Sequence, residues 1–128
     1  MTEKVIGQGG VTLAKITAKY YASSTGKKPV YEHICSLDSR TRQKFFDVVE
    51  LLEYKGHMLP EPHAKYLGND VFELRFAGVE GAVRVLYFFF HRDSAVLTNS
   101  FLKKTPKTPI NELDLAIARR KDYLERNK

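Results

Sequence analysis

A single cysteine, Cys35, is all the thiol this 128-residue chain carries. That excludes an internal disulfide and a cysteine-rich zinc site, and it fits a reducing compartment, the cytoplasm. Long hydrophobic runs are missing too. The longest is six residues, Val85 to Phe90, against the ~20 needed to span a bilayer. No charged-then-apolar leader opens the chain, so export is not expected. The cluster Gly7-Gln8-Gly9-Gly10 lacks the Gly-Lys-Ser/Thr ending of a phosphate loop, and no strand precedes it. No Ser/His/Asp set stands out.

What is present suits one folded domain. Hydrophobic residues make up 43% of the chain and aromatics 12%, enough to fill a core in a chain that hides roughly two-thirds of its unfolded surface. Disorder throughout is excluded on that ground. The net charge is +6, which raises the odds of an anionic partner without fixing one. Each half, 1–60 and 61–128, carries +3. Any positive site must therefore be assembled by folding.

The patterns predict an α+β domain over 11–128, preceded by a flexible extension at 1–10. Thr, Val, Ile and Tyr make 11–22 a strand, with Ile16, Ala18 and Tyr20 on one face. Pro29 suits the first position of a helix whose stripe is Val30, Ile34 and Leu37. Asp38 caps a second helix to Lys55, with Phe45, Val48, Val49 and Leu52 inward and Gly56 ending it. Two prolines, a glycine and Asn69-Asp70 mark 57–70 as loop. Phe72, Leu74 and Phe76 then alternate with Glu73 and Arg75, a half-buried strand. Ala82–Phe90 and Ala95–Leu102 complete an antiparallel meander. Thr108 and Pro109 open a last helix whose apolar face is Ile110, Leu113, Ala116, Ile117 and Leu124. The order is β-α-α-β-β-β-α.

Histidines offer little. His33 and Cys35 point to different faces of a helix. His57 and His63, with Glu61 between them, would need a third metal ligand and read better as loop surface. His91 sits in a turn. Cys35 reads as packing. The cations say more. Arg75 holds the polar face of a packing strand, and Arg84 interrupts an apolar one, so Arg84 must meet an acid or reach a cleft. Lys103 and Lys104 follow the third strand directly. All four could line one concave surface, or each could pair with Glu73 or Glu80 in a structural salt bridge; the residues alone leave both open.

Residues 28–124 resemble the phage-derived HigB branch of the RelE/ParE toxin superfamily. The matching pieces are Lys28-Pro29-Val30-Tyr31, Glu50-Leu51-Leu52 with Gly56-His57, Lys65-Tyr66-Leu67-Gly68, Val71-Phe72-Glu73-Leu74-Arg75-Phe76, Val83-Arg84-Val85-Leu86-Tyr87-Phe88, and Phe101-Leu102-Lys103-Lys104-Thr105-Pro106-Lys107-Thr108-Pro109 with Glu112. The resemblance implies a compact, microbial RNase-like fold with helices on a twisted antiparallel sheet. It implies the toxin of a type II toxin–antitoxin module that cuts mRNA on the 70S ribosome without metal or other cofactor. A HigA-like helix-turn-helix antitoxin would neutralise it, and the pair would bind operator DNA through the antitoxin. No membrane is implied.

By the same resemblance Arg75, Arg84, Lys103 and Lys104 are catalytic, and Lys65, Tyr87 and Lys107 bind RNA. The proton-transfer tyrosine or histidine common late in the superfamily has only Tyr123 as a candidate after Phe101. Two other readings are a ParE-like inhibitor of DNA gyrase and a non-catalytic nucleic-acid or protein-binding relative. The nuclease is favoured because the basic positions converge on one expected surface.

Overall fold

A computed structural model describes Val5–Ile6, Val11–Thr12 and residues 15–128. Among these residues the elements are β1 (Val5–Ile6), β2 (Val11–Thr12), β3 (Thr17–Tyr20), α1 (Pro29–Cys35), α2 (Ser39–Lys55), a single 3₁₀ turn (Gly56–Met58), β4 (Ala64–Gly68), β5 (Val71–Gly78), β6 (Gly81–Phe90), β7 (Ser94–Leu102) and α3 (Ile110–Arg126). β1 and β2 form a two-stranded pair. The other five make one sheet in the order β3-β7-β6-β5-β4. The fold class is α+β, compatible with a compact RelE-like fold. The glycine cluster at 7–10 and most of the expected extension lie outside the described residues, but β1 directly precedes the cluster, where no strand was expected.

Three expectations change. The strand expected over 11–22 is realised as β2 and β3, and β3 runs parallel to β7, so the sheet is mixed. A parallel pair needs a long crossover, which α1, α2 and the meander supply. Residues 64–68, expected as loop, form β4, antiparallel to β5 with a shift between Tyr66 and Gly68. On the last helix Ile110 is 70% exposed, and only Ala116 is fully buried, because α3 starts beyond the sheet and reaches it a turn later.

α1 and α2 follow their sequence signals. Proline opens α1. The Asp38 carboxylate accepts from the Arg40 N–H and caps α2, and Gly56 ends it at φ 56°. Phe45, Val48 and Leu52 of α2, with Val30 and Ile34 of α1 and Leu37 after it, pack onto Leu74, Val85, Tyr87 and Leu97 of the sheet. Cys35 is exposed, not packed; it lies one residue off the Val30–Ile34–Leu37 stripe. α3 covers the other face over Val71 and Leu86. No helix among the described residues is long and apolar enough to cross a membrane.

The tip of the β5–β6 hairpin is fastened to the start of α2. Thr41, fully buried, donates its hydroxyl to Glu80 Oε1 at 2.7 Å and accepts from the Val79 N–H at 3.1 Å. Glu80 Oε2 accepts from the Asp38 N–H at 2.7 Å. Glu80 therefore stands at a helix N-terminus, where negative charge is favoured. The hydrogen bond from the Asp38 N–H, then that from Thr41, holds its carboxyl below the ordinary value of 4.5. A carboxylate with a lowered folded pKa contributes stability that is complete above 4.5 and fades as pH falls through the folded value. Acid unfolding should accordingly be less steep in Glu80→Gln than in the wild type. It should not become flat, because Asp38 and Asp122 are lowered too, chiefly by hydrogen bonds from Arg40 and Arg126. Identical slopes in a pH series of melting curves would contradict this.

Candidate functional site

The strand register assembles the site. On β5, Glu73 and Arg75 share a face. Arg84 of β6 stands directly opposite Arg75, and Lys65 of β4 opposite Glu73. Two arginines facing each other across a strand pair repel. The carboxylate two residues away supplies the compensation. Glu73 is fully buried. Its Oε1 accepts from Arg75 Nε at 3.0 Å and lies 3.8 Å from Arg84 Nε. Its Oε2 accepts from the Thr108 hydroxyl at 2.5 Å. The Arg84 side chain is 14% exposed, donates from Nη1 to the Val83 carbonyl, and has, among the described residues, no hydrogen-bond acceptor for its buried Nε. Burial pushes the Arg84 pKa down, Glu73 opposes that, and Arg75 adds to it.

Lys103 joins from the end of β7, its backbone N–H bound to the Ala82 carbonyl. Burial first, and then the Arg84 guanidinium, holds its ammonium below the usual lysine range; Arg75 and Lys65 push the same way and Glu73 against it. Arg75 and Arg84 thus meet on one carboxylate, and the strand register sets Lys65 and Lys103 beside them, leaving an excess of positive charge. The two arginines converge on Glu73, whereas Lys103 and Lys104 form no salt bridge among the described residues. Glu80 plays no part in the cluster, being bound to α2.

β4 begins opposite Leu74 and the His63 carbonyl takes the Arg75 N–H, so among the described residues β5 has no strand partner on that side from Phe76 onward. A groove of about 570 Å³ opens there, lined by Arg75, Arg84, Lys44 and Asp47 of α2, Pro62 and His63. His63 is exposed, as a loop residue should be, but it lies on this groove, and its carbonyl accepts from the Arg75 N–H.

Other candidates fall elsewhere. Tyr87, expected at RNA, is 1% exposed and stacks on Phe72 in the core. It is an odd number of residues from Arg84 and so faces the opposite side of the sheet. Tyr123 packs against Phe88 and Phe90, four to six residues along β6 from Arg84, or roughly 13–20 Å at strand spacing; it is no proton donor to the cluster. Lys104 and Lys107 are exposed on the β7–α3 connection. His57 lies on Phe89 with ring centres 3.6 Å apart. Among the described residues no three His, Cys, Asp or Glu side chains gather as a metal site would require. Thr108, expected as a helix cap, instead binds Glu73, and Pro109 takes the cap position. Also missed was His33, whose Nδ1 lies 2.6 Å from the Ser100 Oγ. Burial lowers its pKa against the pull of Glu112 and Glu80.

The model of the family described as phage derived protein Gp49-like (DUF891) matches residues 32–121. The chain belongs to this family. The matched segment runs from α1 into α3 and contains every member of the cation cluster, together with Glu73 and Thr108. The Gp49-like family is of the RelE/HigB toxin-like kind, and that kinship implies an antitoxin partner in general terms. No curated protein matches the chain.

Proposed function

We propose that this Gp49-like protein is the toxin of a type II toxin–antitoxin module, of the HigB-like branch, and that it cleaves mRNA on the ribosome. The observation that carries the reading is the convergence of Lys65, Arg75, Arg84 and Lys103 beside an open groove, with a buried guanidinium Nε facing no full partner. A phosphodiester suits that array. Arginine matches phosphate oxygens in bidentate fashion, and fixed cations aimed at developing charge are the largest common source of rate enhancement.

The RNA 2′-hydroxyl gives its proton to solvent water and attacks the adjacent phosphorus, and the bond to the 5′-oxygen of the next nucleotide breaks. Arg75 and Arg84 hold the phosphoryl oxygens. Lys103, its pKa held below the usual lysine range by burial and then by Arg84, gives a proton to the leaving oxygen. Lys65 extends the positive surface along β4, and Lys104 and Lys107 extend it along the connection. A HigA-like helix-turn-helix antitoxin restrains the enzyme through exposed apolar side chains, Phe46 and Tyr54 of α2 or Ile110 and Leu115 of α3, and carries the complex to operator DNA.

Purified protein added to 70S ribosomes programmed with mRNA should cut the message within the ribosome-covered region, as read by primer extension. Free mRNA should be cut far more slowly, and antitoxin should stop the reaction. Intact mRNA accompanied by inhibited DNA supercoiling would replace this reading with gyrase inhibition. Ribosome binding without any cut would replace it with a non-catalytic role.

A further inference from the structure

Glu73 is the buried acid of the cation cluster, Glu61 being an exposed one 4.0 Å from Arg75 Nη1, and phosphate binding gives Glu73 no obvious place, since a buried carboxylate repels the substrate. Its geometry answers a different need. Three groups meet on its two oxygens: Oε1 takes Arg75 Nε at 3.0 Å and faces Arg84 Nε at 3.8 Å, while Oε2 takes the Thr108 hydroxyl. Those groups come from three places in the chain. Arg75 is on β5, Arg84 on β6, and Thr108 closes the connection that carries Lys103, Lys104 and Lys107.

We propose that Glu73, acting with Thr108, is a positioning residue that fixes the two arginines and the basic 103–108 connection as one preorganised array; this rests on the nuclease reading above.

Three features support it. First, the side chain is 1% exposed, so solvent does not screen its charge and its partners have few alternatives. Second, without the carboxylate, Arg75 and Arg84 would face each other directly across the strands and turn apart, losing the in-line hold on phosphate. Third, the connection has few anchors of its own. Thr105 bonds only within it, to the Lys107 carbonyl, and Lys104, Thr105, Pro106 and Lys107 are all exposed. The Thr108 bond to Glu73 is the side-chain tie that brings this segment to the arginines. Thr108 lies in the position a helix cap would take, yet Pro109 holds the cap and the hydroxyl is turned to the carboxylate instead.

The test uses Thr108→Val, Thr108→Ser and Glu73→Gln in the programmed-ribosome assay, with kcat and KM measured separately and a melting curve for each variant. Thr108→Val keeps the shape and removes the donor; kcat should fall about tenfold with KM little changed. Thr108→Ser restores the donor and should restore kcat. Glu73→Gln keeps the shape and one acceptor oxygen but removes the charge between the arginines, and kcat should fall about a hundredfold, the scale of a misplacement of about 1 Å. If the wild type cleaves and Thr108→Val and Glu73→Gln, still folded, cleave as fast, the positioning role is wrong and the nuclease reading stands. A kcat loss in Thr108→Val that Thr108→Ser does not restore also overturns it. If the wild type does not cleave, the nuclease reading fails and the inference falls with it. Should Glu73→Gln not fold, the Thr108 pair decides the matter alone.

Discussion

Replacing Arg84 with alanine is expected to lower ribosome-dependent cleavage by about 10²–10³ while leaving the protein folded. Arg84 offers the array its most committed cation. The side chain is 14% exposed, and its buried Nε sits 3.8 Å from Glu73 Oε1. Removing it subtracts the proposed phosphate clamp, but Glu73 keeps Arg75 and Thr108, so no carboxylate is left buried alone. Arg84→Lys should recover only part of the loss, because an ammonium cannot reproduce the planar fork. A second effect follows. The Arg84 charge is the second cause, after burial, of the lowered Lys103 pKa. Its removal lets that pKa rise towards the ordinary lysine value, so the alkaline limb of the pH–rate profile should move to higher pH. Full activity in a folded Arg84→Ala protein would remove the arginine from the reaction.

The largest effect on stability is expected at the end of β5, three residues beyond Arg75, at Gly78. A Cβ there would fall inside the contact distance of Oγ1, Cγ2 and Cβ of Thr41. Thr41 cannot yield. It is fully buried, and its hydroxyl already joins Glu80 to the Val79 N–H. Gly78→Ala must push α2 off the hairpin or break both bonds. Overpacking of this kind costs about 3 kcal/mol, or a fall of about 10 °C in Tm for a domain of this size. Thermal unfolding checks it, and an unchanged Tm would mean that α2 and the hairpin are less closely joined than described.

Much of this architecture was legible because local chemistry and tertiary packing agree. Pro29, Asp38 and Gly56 mark helix ends by backbone preference, and α1 and α2 begin and end there. The alternation around Glu73 and Arg75 gave β5 its two faces. β4 was hidden because Pro60, Pro62, Gly68 and Asn69-Asp70 surround it, while its pairing comes from the backbone of β5 rather than from its own side chains. The parallel pairing of β3 with β7 joins segments more than seventy residues apart, and no local pattern encodes it.

For the site, Arg75 and Arg84 stood out as charges on strands otherwise built to pack. Glu73 was readable as their partner because it shares a face with Arg75. Strand alternation also separates Tyr87 from Arg84, so its burial was available from the sequence, although the family resemblance pointed the other way. Thr108 was not readable. Before a proline its hydroxyl looks like a cap, and only the path of the β7–α3 connection turns it to Glu73.

The chemistry itself leaves a signature on the product. If these cations stabilise attack by the neighbouring 2′-hydroxyl, mass spectrometry of the ribosome-cut mRNA will find a 2′,3′-cyclic phosphate on the upstream fragment and a free 5′-hydroxyl on the downstream one. A 3′-hydroxyl with a 5′-phosphate would mean that water, not the ribose, attacks the phosphorus, and would contradict the account.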